Sequence, residues 1–399
     1  MIVSDWGFAG GFGTGQSRNA SVERCVNLYP EIVAVPGARP RKQVVLYPTP
    51  GLSVWATIGN GPIRAAFYQD GRFFVVSGPE FYEVSAGGVG TLIGTVSNDS
   101  NPAFIFSNGA AGLQLFIISG RLCYTYGLSS GTFAQVTDAD LPTDVVMGGY
   151  LDGYFLALKN SSTQFNWSAL LNGSSWPTAS FATKTQSSDN IRALVVDHKE
   201  VWLLGSKATE VWYNTGDAQQ PFAPVQGVLI EHGIGPRFSA AKINNTICWI
   251  GQDETGSKIA WLANGYTPER FSTHQVEEAW ASYTSTIDDA YAWAYTERGH
   301  SFYVVTFPTV GVTWAYDFAS NMWHERGYWE NGEYSAHLGR CHAFAFDQHL
   351  VGSRLDGRIF SQSLTVYDDA GTPLRRLRRS PHVNNDLRWL FYNSFQLEM

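Results

Sequence analysis

A hairpin of two short β-prone runs joined by a tight turn recurs along the chain, and it limits the fold more than any other feature. It reads "RFFVVSGPEFYEVS" (72–85), "LQLFIISGRLCYTY" (113–126), "YFLALKNSSTQFNWSAL" (154–170) and "VWLLGSKATEVWYN" (201–214). Then come "ICWIGQDETGSKIAWLA" (247–263), "SFYVVTFPTVGVTWAYD" (301–317) and "LVGSRLDGRIFSQ" (350–362). Measured from Phe73, Leu115, Tyr154, Val201, Ile247, Phe302 and Leu350, the spacing is 39 to 55 residues. A run rich in small residues precedes each hairpin, as in "IRAAFY", "VVMGGY" and "AYAWAY". Ala and Gly suit inner strands crowded around an axis. Weaker fourth strands follow in "TLIGTV", "FAQVT", "FATK", "ERFST" and "MWHERG". Four strands per repeat predict an all-β fold, a β-propeller; seven blades fit best, with six as the alternative. The other reading of these runs is a pair of β-sandwiches. Tyr316-Asp317 followed by Trp323 matches a kelch-type spacing, a packing device between blades.

The composition agrees. Of 399 residues, 14% are aromatic, 16% are charged and 40 are glycine, which favours strands and turns over helices. No run of about 18 apolar residues exists to span a membrane. The four cysteines, Cys25, Cys123, Cys248 and Cys341, lie far apart and read as buried free thiols. A net charge of −8 argues against a surface that coats DNA.

The propeller is expected over 48–367. "LSVWATIG" (52–59) precedes the first repeat, and the last repeat has a poor fourth strand in "SLTVYD". Pairing the early strand with the last blade would close the ring and remove two sheet edges. Residues 1–47 read as an extended arm outside the propeller's needs, broken by Tyr-Pro steps and carrying apolar residues that must bury either on its own propeller or on a neighbouring subunit. Val26, Leu28, Tyr29, Pro30, Ile32, Tyr47 and Pro50 are its candidate contact residues. Residues 368–399 read as a C-terminal β segment. It holds the basic run Arg375, Arg376, Arg378 and Arg379, a candidate contact patch, and the strand "RWLFYNSFQLEM" (388–399). That strand would pair with the arm or, the favoured reading, with further β structure.

No catalytic constellation stands out. "GGFGTGQS" (10–17) has no strand before it and no amphipathic helix after it, and reads as a flexible lead-in rather than a dinucleotide loop. Glu277-Glu278 and Asp288-Asp289 are sequence neighbours that would point to opposite faces of a strand, and a solvated loop is the plain reading. "DADLPTD" (138–144) lacks calcium-loop spacing and reads as a turn. His337, His342 and His349 cluster near Cys341 without metal-site spacing. No enzyme, cofactor or metal is therefore expected. A carbohydrate-binding or glycoside-hydrolysing propeller is the alternative, with Trp and Tyr stacking on sugars, but Trp202, Trp212, Trp249, Trp261 and Trp314 sit inside strand runs where core is the expected fate.

"SVERCVNLYPE" (21–31), then "LYPTPGL" (46–52), a propeller, and "RRSPHV…RWLFYNSFQLEM" (379–399) resemble the packaged-DNA stabilisation proteins of short-tailed phages, their tail nozzle or tail-hub proteins. The resemblance spans nearly the whole chain, though its middle matches in architecture alone. It implies a virion structural protein of the tail, assembled in the host cytoplasm. Six copies would form a ring below the portal and its adaptor, with tail fibres, tailspikes or a tail tip attached, and the candidate contact residues of the arm would meet a neighbouring subunit or the adaptor. DNA would pass through the lumen without sequence-specific binding and be retained there until ejection.

Overall fold

The computed structural model describes residues 8–15, 17, 21–35, 41–252, 258–382, 389 and 391. Among the described residues, seven sheets contain a run of four antiparallel strands, and each is a blade. In chain order the blades span Ile63–Thr95, Phe104–Gln135, Val145–Thr183, Ile191–Ile230, Ala241–Arg270, Tyr291–Glu330 and Gly339–Ser363, the last completed by Gly51–Thr57. Inner strands of the first to fourth blades touch in order, as do those of the fifth to seventh, and the first meets the seventh, which closes the ring. The four-strand unit read from the hairpins is thus the blade. The fourth strand of the fourth blade, Phe222–Ile230, carried no clear sequence signal, because its pairing with Thr209–Asn214 is broken by a register shift between Glu210 and Trp212.

The small-residue runs are the inner strands, as crowding at an axis requires. A Cβ added to Gly148 would sit 2.2 Å from the Leu156 carbonyl oxygen. The core lies between blades, each facing pair of sheets burying alternate side chains. One apolar cluster joins the third, fourth and fifth blades through Leu156, Phe165, Leu203, Trp212 and Trp249. The kelch-type pair behaves as expected. Trp323 of the sixth blade stacks on Phe271, which follows the fifth, with ring centroids 5.5 Å apart, and its Nε1 donates to the Phe271 carbonyl at 2.9 Å. Asp317 accepts from the Ala319 amide at 3.0 Å and holds the turn between them.

The ring closes where its two ends meet. Gly51–Thr57 pairs antiparallel with Arg358–Ser363, in the register Leu52 to Gln362 and Ser361 to Ser53. The Thr49-Pro50-Gly51-Leu52 step has a residue-level cause. The Thr49 amide donates to the Asn27 carbonyl at 3.2 Å. The Pro50 carbonyl accepts from Arg326 at 3.0 Å. A Cβ on Gly51 would meet the carbonyl oxygens of Val366 and Asp368 at 2.5 Å, so no larger residue fits this approach. Leu52 is fully buried beside Trp293, Val351 and Phe360.

Candidate functional site: the arm, its clamp and the exposed hairpin

The arm is not separate from the propeller at its start. Val22–Val26 joins the sixth-blade sheet, with Val26 beside Glu325 in parallel. Leu377–Arg379 lies antiparallel on its other edge. Arg24 makes a bidentate pair with Glu325, Nε to Oε1 and a terminal nitrogen to Oε2, both at 2.7 Å. The glycine stretch is docked as well, which corrects the reading of a flexible lead-in. Gly13–Thr14 pairs with Val22–Glu23. The Phe12 amide donates to the Trp323 carbonyl at 2.7 Å, and its ring meets Trp314 edge-on at 4.6 Å. The signal for this docking was one aromatic among glycines, too little to read from sequence.

Asn27 pins the junction. It has φ of 56°, a left-handed conformation that Asn tolerates better than most residues, and it is 1% exposed. Its Nδ2 donates to the carbonyls of Gly327 and Arg375, both at 2.8 Å, and its Oδ1 accepts from the Gly327 amide at 2.9 Å. Asn27→Ala strands these buried groups and strains the backbone, a loss of roughly 3 kcal/mol in the arm's attachment. Limited proteolysis should then cut within residues 21–48 at least ten times faster, while the propeller stays resistant. An unchanged cleavage rate would show that the pin is dispensable.

Past Asn27 the chain forms a hairpin, Leu28–Val35 against Arg41–Pro48, a two-stranded sheet that pairs with no other strand among the described residues. The Tyr-Pro steps lie in it: Pro30 faces Leu46, and Leu28 faces Pro48. The expected contact residues divide into two groups here. Val26, Tyr29, Pro30 and Pro50 are buried within their own chain, which corrects their assignment as contacts to a neighbour. Tyr29 packs edge-on against Phe302 at 5.3 Å and His300 at 5.0 Å, because the aromatic patch of the sixth blade leaves a slot beside the outer strand. Ile32 is 41% exposed and Tyr47 40%, and Leu28 is half-buried.

The basic run is likewise divided. Arg378 acts inside the chain: it donates to the carbonyl of Gly11 at 2.7 Å and pairs with Glu23 at 2.7 Å, clamping the glycine segment. The Arg375 guanidinium lies 3.8 Å over the Trp329 ring, and that of Arg376 lies 5.7 Å over Tyr367. Arg375, Arg376 and Arg379 are exposed at the surface. The expected strand 388–399 lies outside the described residues apart from Trp389 and Phe391, which are 89% and 86% exposed.

The chemical candidates take structural roles. Glu277 is on a helix, His274–Ala281, not in a loop, and pairs with Arg270. Asp288 pairs with Lys258 at 2.9 Å, and Asp289 accepts from the Thr309 amide at 2.9 Å. Asp138 accepts from the Trp176 amide at 2.9 Å. His342 and His349 are brought together, Nε2 to Nδ1 at 2.9 Å, and the Trp293 ring lies near both His342, at 5.7 Å, and the buried His337, at 6.3 Å. No group of three or more His, Cys, Asp or Glu able to hold a metal occurs among the described residues. Trp202, Trp212, Trp249 and Trp314 are 4% exposed or less, and Trp261 stacks on His232 at 4.0 Å, so these rings serve packing. No helix of the described residues is long and apolar enough to cross a membrane.

Known structures share this architecture at low identity. The extracellular domain of the putative hybrid two-component system BT4673 from B. thetaiotaomicron is 8% identical, with a TM-score of 0.50, over 79% of this chain and 40% of that one. A streptogramin B lyase is 9% identical over 79% of this chain and 98% of its own, with a TM-score of 0.49. The N-terminal domain of Nup159 is 9% identical over 84% and 98%, with a TM-score of 0.46. Such likeness concerns the propeller fold alone. No curated protein matches the chain. The family model for phage stabilisation proteins, described as bacteriophage P22 Gp10, beta-propeller, matches residues 14–366, which include the hairpin and every blade. By that span the chain belongs to the phage stabilisation family and is a structural protein of a phage tail.

Proposed function

We propose that the chain is the subunit of a tail nozzle, a homohexameric ring beneath the portal adaptor of a short-tailed phage. In this role it extends the DNA channel, retains the packaged genome until ejection, and carries fibres, tailspikes or a tail tip. The observation that carries the reading is the hairpin Leu28–Val35/Arg41–Pro48. An isolated two-stranded sheet is marginal in water. This one is anchored at its base by Asn27 and Tyr29, yet presents Ile32 and Tyr47 to solvent. A sheet so placed gains stability from a neighbouring subunit or an adaptor laid against it. The exposed arginines of the C-terminal run and Trp389 with Phe391 offer a second contact region.

The experiment replaces Ile32 and Tyr47 with Asp. Both side chains are exposed, so the monomer should keep its melting temperature within about 2 °C, since surface changes rarely exceed 0.5 kcal/mol. Assembly into rings, alone or on the adaptor, should fall at least a hundredfold, since each interface would bury two carboxylates. Rings of normal yield by electron microscopy would remove the hairpin from the interface. A family member's tail role would then need another contact surface.

A further inference from the structure

One end of the propeller axis gathers cations in a chain that is acidic overall. The inner strands of four blades bulge at their second residue, with register breaks at Ile63/Ala65, Val145/Met147, Ile191/Ala193 and Gly339/Cys341. Three of the displaced residues are arginines: Arg64, Arg192 and Arg340. Arg121 and Arg237, from neighbouring turns, join them, and Arg121, Arg192 and Arg237 line a cavity of about 190 Å3. The carboxylates at this mouth are all taken. Asp99 pairs with the buried Arg64 at 2.7 Å, Asp144 with Arg121 at 2.6 Å and Asp288 with Lys258 at 2.9 Å. Arg192 donates no hydrogen bond and pairs with no acid among the described residues. Arg237 has one neutral partner, Asn160 Oδ1 at 2.8 Å. Burial and then the charges of Arg192 and Arg121 pull the Arg237 guanidinium below its ordinary pKa, and the smaller opposing pull of Asp144 does not reverse this. Arg340, close by, reaches only the Ser100 carbonyl and the face of Tyr291.

We propose that this mouth is an oxyanion site, in which Arg192 and Arg237, with Arg121 beside them, bind a phosphate or carboxylate group. Guanidinium forks match both groups by paired N–H donors, and a half-desolvated setting strengthens each bond. A cavity of about 190 Å3 admits one such group with a few waters. Two sources present this chemistry: free phosphate, or an acidic side chain on a segment of another protein.

The test titrates the full chain by calorimetry with sodium phosphate, and with sodium chloride at matched ionic strength. A short Asp/Glu-rich peptide is titrated with and without phosphate. We expect saturable phosphate binding that chloride does not reproduce, weakened at least tenfold in the Arg192→Gln, Arg237→Gln variant. A peptide that binds and competes with phosphate identifies an acidic segment as the occupant, and phosphate binding without peptide binding identifies the free ion. No saturable binding of either, or equal binding in the variant, overturns the proposal. Arg192→Gln alone removes no partner from the fold, so it carries the comparison if the double variant does not fold.

Discussion

Lowering the pH from 7.5 to 4.5 should destabilise the isolated protein by roughly 5 kcal/mol, enough to unfold a domain of ordinary stability. The cause is three imidazoles in the sixth and seventh blades. His324 is fully buried, neither ring nitrogen has a partner, and burial pushes its pKa down to about 3, with the Arg326 charge adding to this. His342 is pushed down to about 3 by burial and by His349, and His337 lies well below the ordinary value for the same first reason. A depressed folded pKa means stability that is complete above the unfolded value near 6.5 and is lost as pH falls towards the folded value. Over two pH units that is about 2.5 kcal/mol for each ring. Asp369 works the other way. Burial pushes its carboxyl up to about 6, so it gains stability as pH falls from 6 towards 4 and offsets about one ring. Urea unfolding at pH 7.5, 6.0 and 4.5 measures the slope. His324→Leu should reduce it by about half and leave the pH 7.5 stability intact or higher, since the imidazole has no hydrogen bond to lose. A pH-independent midpoint would mean that water or a partner reaches these rings.

The propeller was legible because its signals are periodic and local: a turn, two runs, and a spacing that repeats. Closure by "LSVWATIG" was legible too, because an unpaired early strand and a deficient last blade each pose the same edge problem. What escaped was the traffic between distant segments. Nothing local marks Tyr29 for a slot beside Phe302, or Arg378 for the Glu23 side chain, because each contact is set by how the sixth blade brings its edges near both ends of the chain. Contact with a neighbour was therefore the favoured reading of the arm, although Val26, Tyr29 and Pro30 are buried in its own chain. The arginine mouth was missed for the same reason: its members lie in five blades or turns and converge only when the ring closes.

Removing the closing strand should do more damage than removing the arm. A chain that begins at Thr49 loses the hairpin, the Asn27 pin and the Tyr29 ring, but keeps Gly51–Thr57 on the seventh blade. It should fold as a soluble monomer with a lowered melting temperature. A chain that begins at Gly59 leaves Arg358–Ser363 as an open edge and exposes the apolar faces once covered by Leu52 and Ala56. Unpaired edges of this kind recruit other chains, so aggregation is the expected outcome. Leu52→Asp asks the same question without a truncation. It removes a fully buried leucine packed against Trp293 and Phe360, and sets a carboxylate in that core. The loss of apolar burial costs about 3 kcal/mol and the buried charge several more, which together exceed what most domains can absorb. Light scattering and circular dichroism decide between the outcomes. If the chain starting at Gly59 is monomeric with the melting temperature of the chain starting at Thr49, ring closure does not depend on this strand, and the contacts between the first and seventh inner strands must hold the propeller shut by themselves.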